Sequence, residues 1–323
     1  MISTLRRASA IALMAVTSLG FAAEFPSKPI RIVVPYQPGG STDVMARLVG
    51  ERLSHRLQQP VIVENKAGAS EQVGATAVAK SPADGYTVML ATTIGLAINP
   101  SLYAKLQYDP AKDFTPLLPV AKIASVVVVN PQLPVKSLEE LTVYLKANPG
   151  KISYGSAGSG APSHLAMELY KRAAGVDAAH IAYKGGAPAL QDLMAGNIQV
   201  MIALVSEAMP LVKAGKLRAL AITSPTRSTR YPELPPVADV PGMKDFEIYL
   251  WYALVAPAGT PRDVVEKLNQ SINSVLEDKS IKDKLAELDI EIAGGQPSRV
   301  PAIFNAEGLK WKKVIQDAGI KAE

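Results

Sequence analysis

Short apolar runs alternate with stretches of helical periodicity along most of the chain. "IRIVVP", from Ile30, predicts a strand. From Ser41 to Gln58, Val44, Leu48, Leu53 and Leu57 recur at helical spacing and predict an amphipathic helix. "VIVEN" predicts the next strand, "EQVGATAVAK" a helix and "TVMLATT" a third strand. A βαβαβ unit of this kind implies a parallel sheet that takes ligands at the carboxyl ends of its strands. A long apolar segment, Phe114 to Asn130, follows, and the pattern then restarts. "SLEELTVYLKAN" reads as a helix, "ISYGS" as a strand, about Ala161 to Ala174 as a helix and "AHIAY" as a strand. Helix "APALQDLMAG", strand "IQVMIAL", helix "SEAMPLVKAG" and strand "LRALAIT" continue the alternation. The long strand "EIYLWYALVAP" then leads into a mostly helical tail.

Boundary residues agree with this order. Gly150, Gly175, Gly196 and Gly215 fall where helix C-termini need positive φ. Ser137 and Thr260 are candidate N-caps, the latter followed by Pro261 at the first helical position. Two βα units joined by long extended connectors predict an α/β protein of two lobes with a cleft between them. Residues 24–122 plus 226–323 form the first expected lobe and 123–225 the second. A Rossmann dehydrogenase with a second domain gives a similar coarse order, so order alone does not decide.

Composition narrows the choice. With 323 residues, 48% of them apolar and 20% charged, the chain can build one large or two moderate cores. The net charge of +5 is scattered, the longest basic run being "KWKK" (Lys310 to Lys313), which argues against nucleic acid as a partner. Residues 1–22 read as a signal peptide. Arg6 and Arg7 precede the apolar "ASAIALMAVTSLGF", and cleavage is expected near Ala22 or Ala23. The chain has no cysteine, so neither a disulfide, a thiolate metal site nor a lipidated cysteine is available. A periplasmic protein held by its core alone is the expectation. His55, His164 and His180 are the only histidines, and their spacing fits no helical zinc pair.

Candidate chemistry lies in two glycine loops. "YQPGGSTD" (Tyr36 to Asp43) joins the first strand to the first helix, with Ser41 or Thr42 as its expected cap. "YGSAGSGAPSHL" (Tyr154 to Leu165) holds the equivalent place in the second lobe. Glycines let the backbone turn and a ligand approach, and the first N–H groups of a helix favour an anion. Neither loop is a dinucleotide fingerprint: "GSAGSG" has the wrong glycine order, and "PGGSTD" lacks a third glycine and a lysine. Ser156 has Tyr154, not glycine, two residues before it, so it is no nucleophile elbow. No carboxylate is evidently placed to orient His164, and a core or helix-face histidine remains the alternative reading. A secreted α/β enzyme thus lacks both triad and fingerprint.

At these residues the chain resembles the Bug family, the TctC-type receptors of tripartite tricarboxylate transporters. The resemblance runs through "FPSKPIRIVVPYQPGGSTDVMARL", "VIVENKAGA", "DGYTVML", "AINPSLYAKLQYDPAKDFTPL", "YGSAGSGAPSHLAMEL", "YKGGAPALQDLMAGNIQVM", "AGKLRALAITSPTRSTRYPELPPVADV" and "WYALVAPAGTP". It implies a periplasmic-binding-protein-like fold that closes on a small carboxylate and delivers it to membrane permease subunits. It also implies a monomer without a cofactor or metal. Carried onto this chain, the ligand-binding residues are Tyr36, Pro38, Gly39, Gly40 and Ser41, then Ser156, Ala157, Gly158, Ser159 and His164. Thr92, Thr93, Asn99, Tyr183, Ala203 and Trp251 line the cleft, and Asp43 supports the first helical turn. Tyr36 and Trp251 could equally be core aromatics. A sensor that presents the ligand to a membrane signalling partner would use the same site.

The chain departs from that resemblance in two places. "NIQVMIALVSEAMP" puts Gln199 and Ala203 where relatives commonly carry acids, and "GASEQVGA" (Gly68 to Ala75) replaces a glycine-rich segment. Ala203 removes a polar partner for the far end of a ligand. The expectation is a less polar distal pocket, favouring an aromatic or aliphatic monocarboxylate.

Overall fold

The structure, a computed structural model, describes residues 24–322. The expected signal peptide lies outside the described residues. The first half contains β1 (Ile30–Val34), α1 (Ser41–Leu57), β2 (Val61–Asn65), α2 (Gln72–Ala79) and β3 (Thr87–Thr92). A π-helical turn (Ile94–Ile98) runs into the short α3 (Asn99–Leu102), ahead of the long β4 (Phe114–Val129). Then come α4 (Leu138–Ala147), β5 (Ser153–Ser156), α5 (Pro162–Ala174), β6 (Ala179–Ala182), α6 (Gly186–Ala195), β7 (Val200–Leu204), α7 (Val205–Lys213) and β8 (Arg218–Ile222). The chain continues through β9 (Tyr249–Pro257), α8 (Arg262–Glu277), α9 (Lys279–Glu287), β10 (Glu291–Ile292) and α10 (Arg299–Asp317). No helix among the described residues is long and apolar enough to cross a membrane.

β2, β1 and β3 pair in parallel, as the βαβαβ pattern predicts, and β9 and β4 extend their sheet antiparallel. β5 pairs with β6 and β7 in parallel, and β4 joins β7 and β8 antiparallel. β4 is therefore common to both halves: Phe114 to Ala124 pair with β9, and Ser125 to Val129 pair with β7. Its apolar run is continuous because both faces are covered. Val126 and Val128 point into one core, Val127 and Val129 into another. Its register against β9 shifts beside Pro116 and Pro119, which have no N–H to give to a ladder.

Each half is a sheet with helices on both faces. Met45, Ala46, Val49 and Leu53 of α1 pack with Leu268 and Ile272 of α8 over one side of the first sheet. Ala75 and Val78 of α2 with Val300 and Phe304 of α10 cover the other. In the second half Leu165 and Tyr170 of α5 lie on one face, Leu190 and Leu193 of α6 on the other. α10 belongs to both halves, since Trp311, Val314 and Ile315 near its end join the Tyr154–Tyr170 core. Val237, Val240, Met243, Phe246 and Ile248 pack into that same core.

Three local expectations change. The buried stripe of α1 is Met45, Ala46, Val49, Gly50 and Leu53, while Val44 and Leu48 are only half-buried. Small residues explain the rotation: Gly50 lets the helix approach the sheet until an added Cβ would stand 3.3 Å from Val61. Neither Ser41 nor Thr42 caps α1; Gly40 is its N-cap and provides no side chain. Thr260 likewise gives its hydroxyl to the Pro257 carbonyl (2.7 Å), and Pro261 takes the cap position of α8. Ser137 does cap α4, accepting from Glu140 N at 3.1 Å. Gly150, Gly175, Gly196 and Gly215 all have positive φ.

Candidate functional site

The first glycine loop leaves the carboxyl end of β1 and enters α1. Gly39 adopts φ +92°, with nothing within 4 Å of where a Cβ would sit. Pro38, Gly39 and Gly40 are exposed, and Ser41 is half-buried with its Oγ 3.2 Å from the Tyr252 hydroxyl. Asp43 holds the turn from beneath. Its carboxylate accepts from Gly39 N (3.0 Å), Arg47 Nε (3.0 Å) and Asn65 Nδ2 (2.9 Å). These donors, Arg47 first, lower its pKa to about 2. The N–H groups of the first turn have no helical acceptor, and the cap residue supplies none.

Below this loop lies a buried carboxylate that the candidate set omitted. Glu71 accepts from the Tyr36 and Thr92 hydroxyls and from Thr92 N (3.3 Å), and Gly95 N is a further donor. Burial raises its pKa, and these hydrogen bonds oppose the rise. Tyr36 is itself pushed well above the ordinary range, by burial and then by Glu71. Asn99 is buried and donates to the Ser70 carbonyl at 2.7 Å, supporting the same segment from below. The Thr93 hydroxyl accepts from Trp251 N (2.9 Å) and ties the end of β3 to β9. A lone acid in "GASEQVGA" was the available signal for Glu71, but only the fold shows where it points.

The second loop leaves β5 and enters α5, whose N-cap Ala161 also lacks a capping side chain. Gly158 (φ +132°) and Gly160 (φ +73°) make the turn. Much of this loop is internally bonded. Ala157 N donates to Ser163 Oγ (2.9 Å), Gly158 N to Ser156 Oγ (3.2 Å) and Gly160 N to His164 Nδ1 (3.0 Å). His164 thus supports the loop, and its ring stacks on His180 at 3.7 Å between centroids. Burial, followed by the neighbouring His180, lowers the His164 pKa to about 4. Ser156 Oγ lies 2.6 Å from His180 Nε2. Ser159 is half-buried, its hydroxyl donating to the Lys321 carbonyl at 3.4 Å. Gly160 abuts Leu102 of α3, so α3 lies between the two loops: Asn99 supports the Glu71 segment and Leu102 touches Gly160.

Half-buried Tyr183 and Trp251 pack against the core containing Ala203, which is buried in β7 among Val126, Leu190 and Met201. The Tyr183 hydroxyl donates to Asp192 at 2.7 Å. Gln199 accepts from Ser153 N (2.8 Å) and donates to Gly196 O (3.1 Å). Glu207, in the first turn of α7, was not among the candidates. It reaches solvent, yet a Cβ on Gly186 would lie 2.6 Å from its carboxylate. The surrounding protein desolvates it and raises its pKa. Burial, with smaller contributions from the Glu207 and Glu71 charges, pushes Tyr252 up to about 12.

A family model described as tripartite tricarboxylate transporter family receptor matches residues 45–320. BugT from Bordetella pertussis is 36% identical over 298 residues, 92% of this chain and 91% of that protein. Among solved structures, Rpa4515 of R. palustris with adipate has a TM-score of 0.82 at 37% identity, covering 92% of this chain and 99% of that one. MatC from Rhodopseudomonas palustris with bound malate gives 0.78 at 30% identity, covering 90% and 100%.

Proposed function

This chain belongs to the tripartite tricarboxylate transporter family of receptors, a family of two-lobed solute-binding proteins, and from that premise we propose that it captures a small carboxylate in the periplasm for delivery to membrane permease subunits. One observation carries the reading. Two glycine turns at positive φ, at equivalent strand–helix junctions, lead into α1 and α5, and the N-cap residues Gly40 and Ala161 offer no side-chain oxygen. Such helix ends present N–H donors and partial positive charge to an anion. The adipate and malate held by two similar proteins support a carboxylate as that anion. Gly40 and Ser41 would take it from one side and Ser159 from the other, on turns that the Gly39, Ala157 and Gly158 N–H groups hold through Asp43, Ser163 and Ser156, with Trp251 and Tyr183 against the ligand's body.

The two lobes would close by a shift in population when the ligand bridges them. Their hinge is assigned to the two crossings, Ala124–Ser125 on β4 and Thr223–Tyr249 on the return. A return boundary nearer residue 248 than 226 is supported by the packing of Val237 to Ile248 with Tyr154 and Tyr170. A thermal-shift screen of refolded protein against mono-, di- and tricarboxylates, amino acids and aromatic acids tests the function. Ligand at about a thousand times its dissociation constant adds roughly 4 kcal/mol, a shift of several degrees. Folded protein that responds to no carboxylate would sink the reading.

A further inference from the structure

The segment before α2 carries three successive residues in the left-handed region: Ala69 (φ 44°), Ser70 (φ 51°) and Glu71 (φ 73°). Each has a Cβ, so each is held where glycine is favoured. The surroundings hold them there. Asn99 Nδ2 donates to Ser70 O at 2.7 Å, the Tyr103 hydroxyl donates to Ser70 Oγ at 3.2 Å, and Gln72 N donates to Ala69 O at 3.1 Å. The result of this conformation is to aim the Glu71 carboxylate inward, where the residue is 1% exposed.

What the carboxylate meets is a set of neutral donors: two hydroxyls and two peptide N–H groups, from Tyr36, Thr92 and Gly95. A carboxylate has about four lone-pair sites, so this set is matched to it. Gly95 makes the approach possible, because a Cβ there would collide with the Glu71 carboxylate. The donors sit at the carboxyl end of β3 and the start of the π-helical turn, directly beneath the first glycine loop, whose first residue is Tyr36.

We propose that Glu71 is a specificity-determining residue, a built-in carboxylate that fills an anion subsite in the first lobe and so excludes a second ligand carboxylate from it. The inference rests on the carboxylate-binding reading and narrows it to acids with one carboxylate. The donors that a second carboxylate would need are already engaged by Glu71.

The test is calorimetric titration of refolded wild type, Glu71→Gly and Glu71→Gln with matched probes: hexanoate and adipate, butyrate and succinate, benzoate and terephthalate. Glu71→Gly relieves the backbone at φ 73° and vacates the donors; Glu71→Gln keeps the volume and removes the charge. Circular dichroism and melting curves establish that each variant is folded. Wild type is expected to bind the monocarboxylate of at least one pair at least thirtyfold more tightly than its dicarboxylate. Glu71→Gly should narrow that gap at least tenfold, and Glu71→Gln should narrow it less. Dicarboxylates bound by wild type as tightly as their partners, or a gap that both variants leave unchanged, would overturn the inference and leave carboxylate capture standing. Folded wild type that binds no probe would overturn both.

Discussion

On the proposed function, Gly39 serves binding without serving packing. Nothing crowds its missing side chain, so alanine there would meet only the backbone penalty of φ +92°. Gly39→Ala should therefore cost about 1–2 kcal/mol of stability and, by moving the loop, weaken carboxylate binding roughly tenfold or more. Calorimetry beside a melting curve separates the two effects. His164 gives a residue-scale expectation of another kind. Its folded pKa of about 4 lies below the ordinary histidine value of roughly 6.5. The stability it contributes is therefore complete above about pH 6.5 and is lost as pH falls towards 4. Calorimetric melts across that window should fall more steeply for wild type than for His164→Asn, which cannot titrate; parallel profiles would contradict this. The glycines of both loops were legible in the sequence because their chemistry is local. Glu71 was not, since its role depends on Tyr36, Thr92 and Gly95 arriving from other elements. The contacts of His164 were not legible either, because its ring stacks from α5 onto His180 of β6 and its Nδ1 accepts from Gly160 N, which helical spacing alone does not reveal.

Among the elements, the two chain crossings meet at Thr223, which is fully buried. Its hydroxyl accepts from Ser125 N at 2.8 Å and donates to Ile248 O at 2.7 Å, joining β4 to the segment that enters β9. Thr223→Val keeps the shape and leaves Ser125 N unpaired, so it should destabilise by about 1–3 kcal/mol. A ligand-dependent change in scattering radius should also shift between wild type and variant; unchanged stability and unchanged closure would remove Thr223 from the hinge. The order of strands and helices was readable because apolar period changes sharply between them. The buried face of α1 was not, because Ala46 and Gly50 contribute closeness rather than hydrophobicity. The π-helical turn was also hidden, since "IGLAI" has no sequence signal distinguishing it from an ordinary helix.

Over the whole molecule, α10 makes the two halves interdependent. Val300 and Phe304 complete a core with Met89 and Ala91, and Trp311, Val314 and Ile315 complete another with Tyr154 and Tyr170. Trp311 is 1% exposed and donates to Glu307 at 2.7 Å. Trp311→Ala should cost about 3–5 kcal/mol; a denaturation curve read by circular dichroism checks it, and a loss below about 1 kcal/mol would show that the helix end is not anchored. Two lobes could be expected from the repeated βα pattern. A helix shared between them could not, because periodicity reports a buried face without saying which core buries it. α10 also imposes an order of events on the polypeptide's making. Residues 299–317 are made after nearly all of the segments they pack against. Neither hydrophobic interior can seal before they arrive, so a growing chain stays open, and able to be threaded, until these residues have been made.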